Sequence, residues 1–206
     1  MNSDLLREFH RAWYGANVWQ RVRWRGGALC KCPMDLLVLA EVLHEVRPDV
    51  VVECGTYDGA SAVYMADMLR IAHGDDRARV VTIDVDRKER SLPTNVVQLV
   101  GSSIDPTIVA EVRRLVPEGS RVLVDLDSDH STAHVARELD AYAPLVSVGS
   151  YLIVEDTNVD AVLGWSDGPA AAVSQFLTAH PEFEVDANRE RLMLTFNPGG
   201  WLRRTR

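Results

Sequence analysis

Val50-Val51-Val52-Glu53-Cys54-Gly55-Thr56-Tyr57-Asp58-Gly59-Ala60-Ser61 joins an apolar β-branched run to a carboxylate, two glycines and the opening of a helical pattern. The run reads as a buried strand with Glu53 at its end. A strand that passes through a glycine turn into a helix suits a nucleotide-like ligand, because glycine lets the backbone approach closely and the helix N-terminus presents free N–H groups.

Outward from this stretch, strand and helix patterns alternate. Strands are expected at 49–54, 79–84, 95–100, 121–127 and 150–155. Helices are expected at 59–72, from Asp105-Pro106 to about Leu115, at 131–143 and at 170–179. A polar loop with Arg87, Lys88 and Arg90 follows the second strand. Phe183–Val185 and Arg191–Phe196 flank Asp186-Ala187-Asn188 and read as an antiparallel hairpin. Repeated β–α units imply an α/β, doubly wound, Rossmann-like sheet, mostly parallel and covered by helices on both faces. Upstream, residues 4 to 14 carry an amphipathic pattern and Pro33 opens a second helix that ends before Pro48. The expected organisation is an N-terminal helical cap over 1–45 and a ligand-binding domain over 46–206.

The 206 residues, 47% hydrophobic and 25% charged, suit one globular core. A net charge of −8 argues against nucleic acid as a partner. No apolar window is long enough for a transmembrane helix, and Met1–Glu8 carries no secretion-signal pattern, so a cytoplasmic location is expected. Arg21-Val22-Arg23-Trp24-Arg25 and Arg203-Arg204-Thr205-Arg206 read as solvated ends or a ligand-facing patch. Cys30, Cys32 and Cys54 have neither disulfide nor zinc spacing.

In a doubly wound sheet the ligand sits at the carboxyl ends of the strands, which gathers Glu53, Asp84, Gly101, Asp127 and Glu155-Asp156 on one edge. The third glycine of a dinucleotide fingerprint is missing, which counts against a nicotinamide-dependent dehydrogenase. Asp127, Glu155 and Asp156 end two successive strands, and carboxylates that close repel unless a cation or protons neutralise them. Oxygen ligands without a Cys/His cluster favour magnesium over zinc. His130 follows Asp127 by three residues and is the candidate general base, and His134 is a weaker candidate. Asp125 shares a strand face with Asp127, and three readings stay open: a fourth charge feeding the site, a hydrogen-bond partner from the next strand, or a register slip.

The Glu53-x-Gly55-x-x-x-Gly59 line with Asp84 resembles motif I of the class I S-adenosylmethionine methyltransferases. That resemblance implies that Glu53, Gly55, Tyr57, Gly59, Ser61 and Asp127 border the methyl donor. Asp84 would accept from the ribose hydroxyls, and Gly101-Ser102-Ser103 would lie beside the adenine. Further motifs follow in order: Lys31-x-Pro33-x-Asp35-Leu36, Leu126-Asp127-Ser128-Asp129-His130, Val154-Glu155-Asp156-Thr157-Asn158 and Asn197-Pro198-Gly199-Gly200-Trp201-Leu202. Together they resemble the cephalosporin hydroxylase family, over about residues 13 to 202. Despite its name, that family includes magnesium-dependent sugar O-methyltransferases of natural products. The resemblance implies S-adenosyl-L-methionine and Mg2+ as cofactors, Asp127, Glu155 and Asp156 as metal ligands, His130 as base, and a small glycosylated or polyol-like acceptor, as in antibiotic biosynthesis. Asp129 stands as a second possible ligand. Segment 13–35 and the Thr157–Gly168 loop would cover the acceptor, with Trp165 as lid. An accessory protein that binds the donor without methylating is the alternative. Phe9, Trp13 and Tyr14 suggest a homo-oligomer, or packing onto their own domain.

Overall fold

A computed structural model describes residues 3–87 and 90–206. Lys88 of the expected polar loop lies outside the described residues, as do Met1 and Asn2 at the start of the chain. Seven strands form the main sheet: β3 (Val50–Cys54), β4 (Arg79–Asp84), β5 (Val96–Val100), β6 (Val122–Leu126), β7 (Tyr151–Val154), β8 (Phe183–Val185) and β9 (Trp201–Arg204). Their order is β5-β4-β3-β6-β7-β9-β8. All pairings from β5 across to β7 are parallel, and β9 runs antiparallel to both β7 and β8. The expected architecture is therefore present, and the order reverses between β3 and β6, where such sheets open a crevice. A small hairpin, β1 (Arg23–Trp24) with β2 (Gly27–Ala28), precedes the main sheet.

Alternation along the strands divides the core. Val50, Val52 and Cys54 pack with α4 (Pro106–Leu115), α5 (Thr132–Tyr142) and α7 (Pro169–Ala179) on one face. Val51, Leu123 and Ile153 pack on the other face, against α2 (Pro33–Val46) and α3 (Ala60–His73). Both faces are covered, which is why β3 opens on the continuous apolar run Val50-Val51-Val52 instead of alternating. Proline at the first turn of α2, α4 and α7 supplies a φ already suited to a helix where no N–H is needed. Helix α1 (Ser3–Gly15) and the short α6 (Asn158–Ala161) complete the described helices, beside three 3-10 turns. No described helix is long and apolar enough to cross a membrane.

Two expectations are corrected. The partner of Phe183–Val185 is Trp201–Arg204, not Arg191–Phe196. Residues 191–196 form no strand, because their apolar side chains turn inward: Leu194 and Phe196 are buried beside Trp13, Tyr14 and Trp19. The place beside β7 goes to β9, where Gly200 donates no side chain: a Cβ there would stand 2.1 Å from the Val154 carbonyl oxygen. Nor is the C-terminal Arg cluster a solvated end throughout. Arg204 donates to the Val146 carbonyl at 2.6 Å and stacks over Phe183.

Trp13 and Tyr14 pack against Phe196 of their own chain, whereas Phe9 remains half exposed. The β1–β2 hairpin is fastened to α3 through Asp67, which accepts from Trp24 Nε1 and Arg25 Nη2, each at 2.8 Å.

Candidate active site

A cleft of about 1000 Å³ lies over the carboxyl ends of β3, β4 and β6. Gly55, Thr56, Tyr57, Asp84 and Gly101 to Ser103 line it from the strand ends, together with Asp127 to His130 and Asp156, and Tyr14, Trp19, Gln20 and Arg23 line it from the N-terminal segment.

Gly55 holds the turn after β3. Its φ is +100°, and a Cβ would stand 1.8 Å from the Asp127 carbonyl oxygen. The bare Cα therefore makes room first for the neighbouring strand end, where Asp127 N donates to Cys54 O at 2.8 Å. Gly59 begins α3 at φ +75°. Glu53 is wholly buried and accepts from Ser61 Oγ and, at 2.5 Å, from Thr82 Oγ1. Burial pushes its carboxyl up to about 8, against the pull of Lys31 and these two hydroxyls. Glu53 thus braces the turn from below rather than lining the cleft. Asp84 accepts from Tyr57 N at 2.8 Å and Asp86 N at 3.0 Å, which fixes its carboxylate at the cleft wall. Ser103 Oγ lies 3.0 Å from His134 Nε2, and His134 is further engaged by Ser128 and Glu138. That network fixes His134 in the cleft wall, which Ser103 and Ser128 also line.

Asp127, His130 and Asp156 bring ligand atoms within 4.8 Å of one another. His130 Nε2 is 3.3 Å from Asp156 Oδ2. Burial raises the Asp156 carboxyl above the usual carboxylate range, Asp127 adds to the rise, and His130 opposes it. Asp156 sits at φ +55°, a left-handed conformation that non-glycine residues seldom adopt. Its N–H is held by Asn197 Oδ1 at 3.0 Å, and Asn197 is itself buried. Strain retained at a ligand-facing carboxylate is characteristic of a functional site. Asp129 instead accepts from Ser131 N at 2.8 Å at the entry to α5.

Glu155 stands apart from that group. Its Oε1 pairs with Lys31 Nζ at 2.6 Å, and the same ammonium pairs with Asp127 Oδ2 at 2.6 Å. Asp125 is fully buried and in register with Glu53 and Ile153, which removes the register-slip reading. It faces the same Lys31, and burial raises its carboxyl to about 6. Trp165 is exposed and does not border the cleft; the aromatic wall is Tyr14 with Trp19, stacked at 5.3 Å.

The Rhamnosyl O-methyltransferase/CmcI family profile matches residues 16–205. The chain belongs to this family. It is 35% identical over 209 residues to the rhamnosyl O-methyltransferase of Mycobacterium bovis, covering 96% of this chain and 84% of that protein. The Mycobacterium leprae rhamnosyl O-methyltransferase is 30% identical over 208 residues, covering 97% and 90%. Among solved structures, a magnesium–S-adenosylmethionine complex of CmcI superposes with a TM-score of 0.70 at 24% identity, covering 91% of this chain and 78% of that one. That likeness confirms the fold, and family membership makes the chain an O-methyltransferase by class.

Proposed function

We propose that this protein transfers a methyl group from S-adenosylmethionine to a hydroxyl of a sugar carried by a small glycosylated molecule. The reading rests on one observation above all. The paired carboxylates and imidazole of Asp127, Asp156 and His130 converge beside the Gly55 turn at the point where the sheet order reverses. The two mycobacterial relatives are named rhamnosyl O-methyltransferases, which supports a sugar hydroxyl as acceptor.

The donor would lie along the wall formed by Gly55, Tyr57, Asp84 and Gly101 to Ser103, with Asp84 accepting from its ribose. When bound, S-adenosylmethionine supplies an electrophilic methyl on a sulfonium sulfur. The acidic set of Asp127, Glu155 and Asp156 suits a hard divalent ion such as magnesium, with Asp127 and Asp156 turned to the cleft. When bound, magnesium supplies Lewis acidity that favours the ionised hydroxyl. His130 Nε2, 3.3 Å from Asp156 Oδ2, receives the hydroxyl proton. The cleft walls align the acceptor oxygen with the methyl for in-line attack. Tyr14 and Trp19, with Gln20 and Arg23, then cover the acceptor, while the strand ends of 46–206 carry the donor.

Incubation with donor and a rhamnoside should release S-adenosylhomocysteine one-for-one with a product heavier by one methyl. Donor binding without this release would mark a non-catalytic partner instead. Chelation should abolish turnover and added magnesium restore it; full activity after exhaustive chelation would remove the metal from the reaction.

The Tyr14–Trp19 pair offers an aromatic face beside the reacting groups. Trp19→Ala should raise the acceptor KM by about tenfold with little change in kcat, the scale of one aromatic contact. Donor affinity, measured by calorimetry, should stay level.

A further inference from the structure

Lys31 lies in the loop between β2 and α2, yet its ammonium reaches over the ends of β6 and β7. Its side chain is only 4% exposed. Four acidic side chains face it: Asp127 and Glu155 by direct contact, and Asp125 and Glu53 through charge. It is a cation common to the surroundings of Glu53, Asp125 and Glu155. Asp125 is fully buried, and among the groups that offset its charge this ammonium comes first, ahead of a hydrogen bond with Glu155.

Two roles predict opposite effects on a metal. A cation buried beside carboxylates repels a divalent ion, so a purely electrostatic Lys31 would weaken metal binding. A donor that fixes one oxygen of Asp127 and one of Glu155 holds both carboxylates in a single rotamer, and such outer partners strengthen binding. The contacts favour the second. Both are 2.6 Å, and the lysine is enclosed, so the ordering cost has been met before any ligand arrives.

We infer that Lys31 is a positioning residue: its ammonium clamps Asp127 to Glu155 and so presents the acidic set to a divalent cation. It acts through these carboxylates and does not border the cleft. The inference rests on the metal assignment made for the proposed function.

Magnesium titration by calorimetry tests it. Lys31→Met should bind magnesium 10–100-fold more weakly, roughly the loss seen when an outer partner of a metal ligand is removed. Its affinity for S-adenosylmethionine should stay within about twofold, because a merely structural loss would lower both. Lys31→Met leaves buried carboxylates without a counter-charge and can fail to fold. The double variant Lys31→Met with Asp125→Asn restores the net charge without touching a proposed ligand. It should fold, and it should still bind magnesium at least about tenfold more weakly than wild type. Magnesium binding in the double variant as tight as wild type, or tighter, overturns the inference and leaves Lys31 a counter-charge only. Wild-type protein that binds no magnesium would overturn the metal assignment, and the clamp with it.

Discussion

Gly55→Ala is expected to abolish donor binding and to lower stability by ~3–5 kcal/mol, the range of severe overpacking combined with a forbidden backbone conformation. Two costs add. The residue sits at φ +100°, where a Cβ is strained whatever the space. The new methyl would also stand 1.8 Å from the Asp127 carbonyl oxygen and 2.5 Å from its carbon. Those are backbone atoms, so no side chain can rotate away. Relief requires parting β3 from β6 where Asp127 N donates to Cys54 O, and that parting displaces Asp127 from the site. Gly59→Ala is the control. Its φ is +75°, but its nearest obstacle is Leu92 Cδ2 at 3.0 Å, which can move, so about 1 kcal/mol is expected. Urea unfolding with an unchanged m-value should separate the two. Equal, small losses would show that the turn yields and that Gly55 serves the ligand alone.

The same turn shows what was legible in the sequence. Val50 to Cys54 is buried on both faces, so its identity as a central strand is written in the apolar run Val50-Val51-Val52 that precedes Glu53. Asp127 and Asp156 could be placed on one edge because strand ends in a parallel sheet share an edge. The purpose of Gly55 could not, since its closest neighbour is a carbonyl 72 residues away in sequence. Lys31 was visible as part of a motif but not as a clamp. Its partners lie just past the ends of β6 and β7, and no local pattern links them. The hairpin failed for a physical reason: Leu192, Leu194 and Phe196 alternate as a half-buried strand does. The alternation instead meets the N-terminal aromatics, while the charged Trp201–Arg204 takes the ladder position. Asn197, which holds Asp156 in its left-handed turn, also belongs to a quoted motif, yet only the fold shows what it holds.

His130→Ala carries the second large effect, and it separates two roles that the geometry places together. The imidazole stands 3.3 Å from Asp156 and within ligand distance of Asp127, so it could take a proton or hold a metal. A general base contributes typically 10²–10⁴ in rate, so its loss should lower kcat by about that factor. Donor and magnesium affinities should then remain near wild type, so the loss falls on kcat alone. A ligand predicts otherwise: magnesium would bind more weakly in step with the lost rate, and raising the magnesium concentration would restore part of it. The surroundings favour the base. Magnesium prefers oxygen donors, which Asp127 and Asp156 already offer, and it seldom takes an imidazole in their presence. His130 is also the more solvent-open member of the group, its side chain 32% exposed against 22% for Asp156, and so can pass the proton onward to water. Calorimetry of magnesium on His130→Ala, read beside its rate, therefore decides the assignment. A rate loss without an affinity loss keeps the imidazole as base, and a matched loss of both makes it a ligand.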